Sequence, residues 1–306
     1  MLGLGIDNAS YTVEATSWDE VYGLVAHYDF SDASKLKQED DGTTAVSSNN
    51  DPIGYAENLV SNGLGTFIRS YTDAGRPLYK TGGANSKSYA QFDGSSDCGL
   101  VAGVQSDGDV YGGISASAYS DVTLYFETIS IFVVCKADVE DISSEESAIH
   151  IRGVNGSDQQ TFNLTKPHSS DNAGFQVVYG GDPATHIMIF TAESNWTTED
   201  RLMSIVTASG PSATRIEKND GVALNIPTGS GEFSFGTILA NEQLDMRTIA
   251  GKVGFSIGSQ HNAALNTNSK NFEGRIYEVL IYNRSITTAE RTLIKNYINT
   301  KYDLWS

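Results

Sequence analysis

The stretch that decides the fold is residues 271–286, which read NFEGRIYEVLIYNRSI. Its apolar side chains occupy both parities: Phe272 and Ile276 share one, and Tyr277 and Val279 share the other. Side chains alternate between the two faces of a strand, so this pattern predicts a central strand that is covered on both sides. We expect a second sheet on one side and a helix on the other.

Gly274, inside the same stretch, predicts a bulge or the close approach of another backbone. The residues that follow predict a helix. Thr287 and Glu290 form a capping box, in which the Glu290 side chain reaches back to the backbone N–H of Thr287. An apolar stripe follows, made of Leu293, Ile294, Tyr297 and Ile298. Arg291 and Lys295, like Asn296, lie away from it. We expect about three to four helical turns, packed on the end or side of a sandwich.

The rest of the chain is dominated by short apolar runs separated by turn residues. The predicted strands are residues 22–30, 66–71, 88–92, 122–136, 148–152, 161–164, 175–179, 187–191, 202–208, 214–217, 222–226, 233–238, 253–257 and 272–282. Asn219-Asp220-Gly221 predicts a hairpin turn between two of them. Residues 95–120 and 153–173 are rich in small and polar residues and are expected to be loops or insertions. Many short strands with one clear helix predict an all-β antiparallel sandwich.

The domain organisation that we expect is a single domain, residues 20–306, preceded by an N-terminal arm, residues 1–19. The arm is either an extra edge strand or an extension that docks on a neighbour. The first residues, MLGLGID, lack the basic segment and the apolar stretch of a secretory signal. No apolar run approaches the roughly 18 residues of a membrane-spanning helix. We therefore expect a soluble protein made in a cytosol.

The charge balance excludes some partners. The chain has 20 Lys and Arg against 38 Asp and Glu, a net charge of −18. This argues against duplex nucleic acid and against anionic membranes, both of which attract basic residues. Residues 1–269 carry a net charge of −20 and residues 270–306 a net charge of +2. The acidic part is either a self-repelling, solubilising surface or a face that meets a basic partner.

Two cysteines give neither a disulfide framework nor a metal-binding spacing. Cys135 lies in the apolar run of residues 131–135 and is expected to be a buried, inert thiol. Cys98 lies in a stretch rich in Gly and Ser and is expected to be an exposed free thiol. A disulfide between the two is left open.

Several stretches resemble the concanavalin A-like, laminin-G-type jelly rolls. Residues 271–286 resemble the penultimate strand of that family, with the acidic helix start after it. Residues 23–29, GLVAHYD, resemble its opening strand. Residues 76–79, RPLY, and 90–97, AQFDGSSD, resemble its "RP…FDGxxD" strand and turn. The resemblance covers most of residues 20–303 and implies a two-sheet antiparallel jelly-roll sandwich with one C-terminal helix. It says little about function, since such sandwiches include lectins, hydrolases and structural modules.

A glycosidase site is not predicted. The glycoside hydrolases of this fold carry Glu-x-Asp-x-x-Glu on one strand face, and the two carboxyl groups of a retaining pair stand about 5 Å apart. The acidic clusters at residues 39–41, 140–141 and 199–200 do not have that spacing, and no Gly-x-Ser-x-Gly motif is present. We therefore predict no catalytic residues and no enzymatic activity.

Calcium is the cofactor for which the sequence offers candidates, because loop oxygens bind it in many proteins. The candidates are Asp107-Gly108-Asp109 and the acidic residues of 138–146. Neither completes an EF-hand-like loop, and solvated acidic loops are the favoured interpretation, so no cofactor or metal is expected. His27, on the same face of a predicted strand as Asp29, is expected to be a hydrogen-bonded structural residue.

Trp196 is the candidate ligand-binding residue, an exposed ring that could stack on a sugar; the alternative is a ring that plugs the base of its loop. The first functional hypothesis is a non-enzymatic bacteriophage virion protein, since jelly rolls of this family without secretion signals occur in phage particles. It would serve as a capsid decoration or a head or tail appendage, made in the host cytoplasm, with capsid or tail proteins and further copies of itself as partners. The alternative is a carbohydrate-binding module that recognises host-surface glycans.

Overall fold

A computed structural model describes most of the chain. The described residues are 15–61, 65–70, 72–73, 75–94, 99–104, 110–111, 125–126, 128–138, 146–155, 158–166, 176–179, 187–188, 199–206, 215–218, 222–223, 244–245, 253–261, 268–269 and 271–306. Within these ranges, no helix has both the length and the apolar character needed to cross a bilayer.

The secondary structure is almost entirely β. The strands are β1 (Leu24–Asp29), β2 (Leu36–Lys37), β3 (Tyr55–Glu57), β4 (Phe67–Ser70), β5 (Leu78–Lys80), β6 (Tyr89–Asp93), β7 (Leu100–Val104), β8 (Val110–Tyr111), β9 (Tyr125–Phe126), β10 (Ser130–Ala137), β11 (Glu146–Asn155), β12 (Asp158–Lys166), β13 (Gln176–Tyr179), β14 (Ile187–Met188), β15 (Arg201–Val206), β16 (Arg215–Lys218), β17 (Val222–Ala223), β18 (Leu244–Asp245), β19 (Val253–Ile257), β20 (Gln260–His261), β21 (Asn268–Ser269) and β22 (Glu273–Tyr282). The α-helix α1 (Thr288–Tyr302) follows, and 3-10 turns lie at Trp18–Glu20, Ala33–Lys35 and Ala84–Ser86.

The strands form two large antiparallel sheets. The helix-side sheet has the order β17-β16-β15-β10-β22-β6-β5, and β1 also pairs with β22. The far sheet has the order β14-β13-β12-β11-β19-β7-β4-β3-β2, with β8, β9 and β18 attached at its sides. The predicted fold class, a two-sheet antiparallel jelly-roll sandwich of the concanavalin A type with one C-terminal helix, is confirmed.

The main core lies between the two sheets. Strands of the helix-side sheet contribute Val133, Ile276 and Val279, and strands of the far sheet contribute Ile151 and Ile257, all fully buried. Burial of such aliphatic side chains stabilises the fold by about 1.5–3 kcal/mol each. Across the sandwich, the ring of Tyr28 in β1 stacks on that of Phe255 in β19, with centroids 5.7 Å apart.

A β-bulge in β22 changes the predicted parity. Val134 of β10 pairs with Glu278 and the next residue pairs with Ile276, so Tyr277 is the extra residue. Tyr277 and Glu278 both face the helix, while Ile276 and Val279 both face the far sheet. The prediction that Ile276 and Val279 lie on opposite faces is therefore wrong, because strict alternation does not anticipate an inserted residue. Both faces are nevertheless covered, as predicted.

The prediction for Gly274 is confirmed, since a Cβ there would overlap the backbone carbonyl of Lys136 in β10. The capping box of α1 is also confirmed: Thr287 Oγ1 accepts from the N–H of Glu290, and Glu290 Oε2 accepts from the N–H of Thr287. The capping box is a local feature that a short sequence pattern determines.

The helix packs on the outer face of the helix-side sheet. Ile294, Ile298 and Tyr302 are buried against side chains of β10, β15 and β22. Arg291, which the sequence analysis placed away from the apolar stripe, is also buried, with 8 % of its surface exposed. Its position three residues before Ile294 places it on the packed face, where the long apolar stem of an arginine can be covered.

Other predictions differ from the structure. Residues 100–104 and 110–111 form strands β7 and β8, and residues 153–155 and 158–166 belong to the β11–β12 hairpin, so the expectation of loops or insertions is wrong at these residues. Small residues in β7 and polar ones in β12 pair as strands because their backbones complete the ladders of the far sheet. The predicted single strand over 122–136 is two strands, β9 and β10. Strand β19 has the predicted bounds, whereas residues 233–238 lie outside the described residues.

The predicted hairpin around residues 219–221 is supported by the pairing of β16 with β17, although its turn lies outside the described residues. Cys135 is buried and free, and burial raises the pKa of its thiol, which confirms the inert thiol. Cys98 lies outside the described residues. Trp18, assigned to the N-terminal arm, packs with the side chains beneath α1, and the boundary at residue 20 stays a prediction.

Candidate functional site

One group of polar side chains is buried between β1, β22 and α1, and we call it the Glu278 network. Glu278 is fully buried, and its Oε1 accepts hydrogen bonds from His27 Nε2 and from the Tyr297 hydroxyl, each at 2.7 Å. Its Oε2 accepts from Lys301 Nζ at 2.9 Å and from the Tyr302 hydroxyl at 2.7 Å. A carboxylate has about four acceptor positions. The network therefore uses the hydrogen-bonding capacity of Glu278 completely.

The strand register and the helical period bring these groups together. Asp29 of β1 lies directly opposite Glu278 of β22, so their side chains share a face. Lys301 Nζ also binds Asp29 Oδ2 at 2.7 Å. Tyr297 lies one helical turn before Lys301, and Trp18 stacks on the Tyr297 ring with centroids 4.1 Å apart. The indole of Trp18 thus packs against one member of the network.

The electrostatics of the network fix its protonation. Burial alone raises the pKa of Glu278, but the hydrogen bond from His27 and the charge of Lys301 outweigh it and lower the pKa to about 2. Burial and the charge of Glu278 raise the pKa of Tyr297 and Tyr302, so both hydroxyls remain protonated donors. Glu278 is thus a permanent acceptor near neutral pH and has no proton to donate.

The same residues include a candidate metal-binding group, the one such group found in the described part of the chain. His27, Asp29 and Glu278 each offer a ligand atom, and these atoms lie within 4.8 Å of one another. However, the Lys301 ammonium already binds both carboxylates, and both oxygens of Glu278 accept from protein donors. A metal ion would have to displace Lys301, so these residues do not fit one. His27 is a hydrogen-bonded residue, as the sequence analysis expected.

The calcium candidates fall mostly outside the described residues, which include neither Asp107 and Asp109 nor residues 139–145. Of the second acidic run, Asp138 accepts a hydrogen bond from Gln91, and Glu146 accepts one from the N–H of Glu273. The interpretation of these acidic residues as solvated loops, with calcium sites as the disfavoured alternative, stays a prediction.

Another charged group lies nearer the start of β22, around Arg275. Its guanidinium stands between two carboxylates, 3.9 Å from Asp138 and 3.8 Å from Asp200, and 5.0 Å from the ring centre of Tyr89. Both carboxylates thus flank the same cation.

An open cleft of about 370 Å³ lies at the C-terminal end of α1. Its lining residues are all polar: Asn85, Asn296, Asn299, Thr300 and Asp303. Four of them come from the last turns of the helix and its cap, at spacings i, i+3, i+4 and i+7. Such spacing places side chains on one helical face. The fifth comes from the turn Ala84–Ser86, which links β5 to β6.

Two contacts hold that turn against the helix. The N–H of Ala84 donates to the hydroxyl of Tyr277, and Gly83 allows this approach because a Cβ there would overlap the Tyr277 ring. Asn85 Nδ2 then donates to the carbonyl of Lys301 at 3.0 Å. Asn85 has a φ of 46°, in the left-handed region that asparagine tolerates better than most residues. The bulge residue Tyr277 therefore helps to position one wall of the cleft.

The lining side chains divide into two classes. Asn299 belongs to the frame: its Oδ1 accepts from the N–H groups of Leu304 and Trp305, and its Nδ2 donates to the carbonyl of Trp305. The exposed side chains of Asn296, Thr300 and Asp303 form no hydrogen bond with the described residues. An amide, a hydroxyl and a carboxylate are thus open to solvent on one side of the cleft.

The sequence analysis did not identify this cleft. Its one ligand-binding candidate, Trp196, lies outside the described residues, and its role stays a prediction. The polar stripe at 296, 299, 300 and 303 is visible in the sequence, because it has the same helical period as the apolar stripe. The contribution of Asn85 could not be found in this way, since it depends on a contact across 216 positions.

Comparison with known proteins gives the fold. No protein-family model matches the sequence, and no curated protein does. Among solved structures, the chain resembles a Trypanosoma rangeli sialidase in complex with sialic acid, at 13% identity and a TM-score of 0.50. The alignment covers 92% of this chain and 33% of the sialidase, so this chain spans about a third of the length of that protein.

Two further structures have lower TM-scores. One is domain 4 of AbnA, a GH43 extracellular arabinanase from Geobacillus stearothermophilus, in complex with arabinotriose, with 18% identity, a TM-score of 0.46, and coverage of 88% of this chain and 96% of that domain. The other is the Ruminococcus gnavus IT-sialidase CBM40 bound to α2,3-sialyllactose, with 12% identity, a TM-score of 0.40, and coverage of 67% and 97%. At such identities, the likeness to the sialidase shows a shared β-sandwich fold alone. The virion role, its capsid or tail partners and its location gain no support from these structures and stay predictions.

Proposed function

We propose that this chain is a non-catalytic glycan-binding β-sandwich module, and that the polar cleft at the end of α1 is its binding site. The observation that carries the proposal is the set of uncommitted polar side chains in an open cleft, Asn296, Thr300 and Asp303. An amide, a hydroxyl and a carboxylate can together donate to and accept from sugar hydroxyls. A cleft without apolar lining residues is a poor site for an apolar ligand but suits a hydroxyl-rich one.

The absence of catalysis in this proposal rests on the state of the carboxylates in the described residues. Most glycosidases use a pair of carboxyl groups, of which one is protonated and one is ionised. Glu278 has a pKa lowered to about 2 and accepts hydrogen bonds from four donors. Asp138 and Asp200 both flank Arg275, and Asp303 has no second carboxylate among the residues lining its cleft.

The binding strength that we expect is modest. No aromatic ring lines the cleft, so the affinity relies on hydrogen bonds that compete with water. We expect dissociation constants on the order of 1 mM for an oligosaccharide. Titration of the isotope-labelled protein with oligosaccharides, followed by NMR, measures affinities in this range and locates the site from the residues whose signals shift.

The variants that test the site are Asn296→Ala and Thr300→Ala. Each removes one partner of the ligand and is expected to weaken binding about fivefold, because a single hydrogen bond contributes about 1 kcal/mol. Thr288→Ala is the matched control, an exposed threonine at the opposite end of the same helix, and should leave the affinity unchanged. Binding that persists undiminished in both cleft variants would contradict the proposed site, and no binding of any glycan would contradict the function.

A further inference from the structure

We infer that the cleft selects neutral glycans and rejects anionic ones such as sialylated or uronic acid-containing chains. The inference rests on the proposed function, because it names the ligand class of the same site. It is carried by the position of the cleft at the negative end of a helix, beside a carboxylate.

The surroundings of the cleft are negatively charged. Four of its five lining residues lie in the final turns and cap of α1, where the aligned peptide dipoles give a partial negative charge. Asp303 adds a full negative charge at the C-cap. None of the five lining residues is basic. A ligand carboxylate placed here would meet a like charge and a dipole of the wrong sign.

Two cations at the ends of α1 are already paired with carboxylates of the protein. Lys301, within the same helical turn, directs its ammonium to Asp29 and Glu278 on the sheet side of the helix. Arg284 forms a two-bond pair with Glu290 at the other end of the helix. The mildly basic character of residues 270–306 therefore does not provide these cations to the cleft.

The end of the helix also offers hydrogen-bond acceptors. In a continuing helix, the N–H of Leu304 would bind the carbonyl of Thr300, but here it donates to Asn299 Oδ1. The carbonyl of Thr300 thus loses the partner that a longer helix would provide. Among the lining side chains, the Asp303 carboxylate and the side-chain oxygens of Asn296 and Thr300 make the cleft rich in acceptors. A neutral sugar can satisfy acceptors with its hydroxyl protons, whereas a carboxylate only accepts.

The experiment compares matched pairs of oligosaccharides, each neutral chain with its counterpart that carries a terminal sialic acid; lactose and α2,3-sialyllactose form the first pair. In about 0.05 M salt, we expect the neutral member to bind at least about fivefold more tightly. In about 1 M salt, the ratio should fall, because exposed charges are screened.

The diagnostic variant is Asp303→Asn, which keeps the shape and removes the charge. Asparagine accepts the left-handed backbone of this position, where φ is 52°. We expect the ratio between neutral and sialylated ligands to fall about threefold in this variant. Asp19→Asn, an exposed aspartate in the turn Trp18–Glu20, is the matched control and should keep the wild-type ratio.

The possible outcomes separate the two proposals. Binding of sialylated chains as tightly as neutral ones, with both weakened in Thr300→Ala, would leave the glycan-binding function in place and overturn the charge selection. An Asp303→Asn variant with an unchanged ratio in low salt would also overturn it. If no member of any pair binds, the proposed function fails and the selection fails with it.

Discussion

Two carboxylates beside the last turn of α1 have opposite environments. Glu278 of the sheet is fully buried and accepts from four donors, two of which are tyrosine hydroxyls of the helix. Asp303, two residues after Lys301, is exposed, and its carboxylate forms no hydrogen bond with the described residues. The first fixes the helix on the sheet, and the second is available to a ligand. The role of an acidic residue in this chain therefore does not follow from its type alone. It depends on whether hydrogen-bond donors of the protein already occupy the carboxylate oxygens.

Among substitutions at these carboxylates, Glu278→Gln has the largest expected effect on stability. The amide keeps the volume but turns one acceptor into a donor that faces Lys301 or tyrosine hydroxyls. Removing one partner of a buried, hydrogen-bonded ion pair costs about 3–5 kcal/mol. We therefore expect the free energy of unfolding at pH 7, measured with urea, to fall by that amount.

Glu57→Gln is the matched control for this substitution. Glu57 pairs with Lys35 at 3.3 Å, but both side chains are a third or more exposed. An exposed pair contributes about 0–1 kcal/mol, so the control should change stability by no more than that. Equal effects of the two substitutions would mean that burial of Glu278 does not matter, against the structure.

The pH dependence provides the next largest effect. The pKa of Glu278 is lowered in the folded state to about 2, against 4.5 as its ordinary value. A lowered pKa stabilises the fold fully above the ordinary value, and this contribution is lost as the pH falls from 4.5 towards 2. The pKa difference corresponds to about 3 kcal/mol. Urea unfolding between pH 6 and pH 2 should show this loss, and Glu278→Gln should have a correspondingly flatter acid limb.

Parts of the fold could be predicted because short patterns determine them. The strand ending at Tyr282 and the capping box of Thr287 and Glu290 depend on residues that lie close together in the sequence. The bulge at Tyr277 and the two-residue strands β2 and β8 could not be predicted, because ladder hydrogen bonds from distant strands create them. A strand of two residues is too short to show the alternation of apolar and polar side chains from which strands are predicted.

The candidate site was less predictable than the fold. Two residues of the Glu278 network were within reach: His27 and Asp29 were placed on one face of a strand, but their partners lie about 250 positions later in the sequence. The cleft depends on the way Asn299 draws the chain end back onto the helix and on the contact of Asn85 with Lys301. Neither can be found before the helix is placed on the sheet.

A smaller effect sharpens the comparison within the network. Tyr302→Phe and Tyr297→Phe each remove one hydroxyl that donates to Glu278 at 2.7 Å. Tyr302 is fully buried, so its hydrogen bond cannot be replaced by water, and we expect a loss of about 2 kcal/mol. Tyr297 is half-buried, and a loss of about 1 kcal/mol is expected there. Thermal or urea unfolding checks the order, and a larger loss for Tyr297→Phe would contradict it.

The smallest effect has the opposite sign and concerns Asp303→Asn. A negative charge at a helix C-terminus is unfavourable, and a left-handed C-terminal residue suits asparagine better than aspartate. We therefore expect this variant to be about 0.3 kcal/mol more stable than the wild type, in contrast to the large loss in Glu278→Gln. Urea unfolding in low salt measures the difference, and a clear destabilisation would show that Asp303 has a structural partner. A carboxylate that lowers stability where asparagine would raise it is expected of a binding residue, because sites commonly keep groups that the fold alone does not favour.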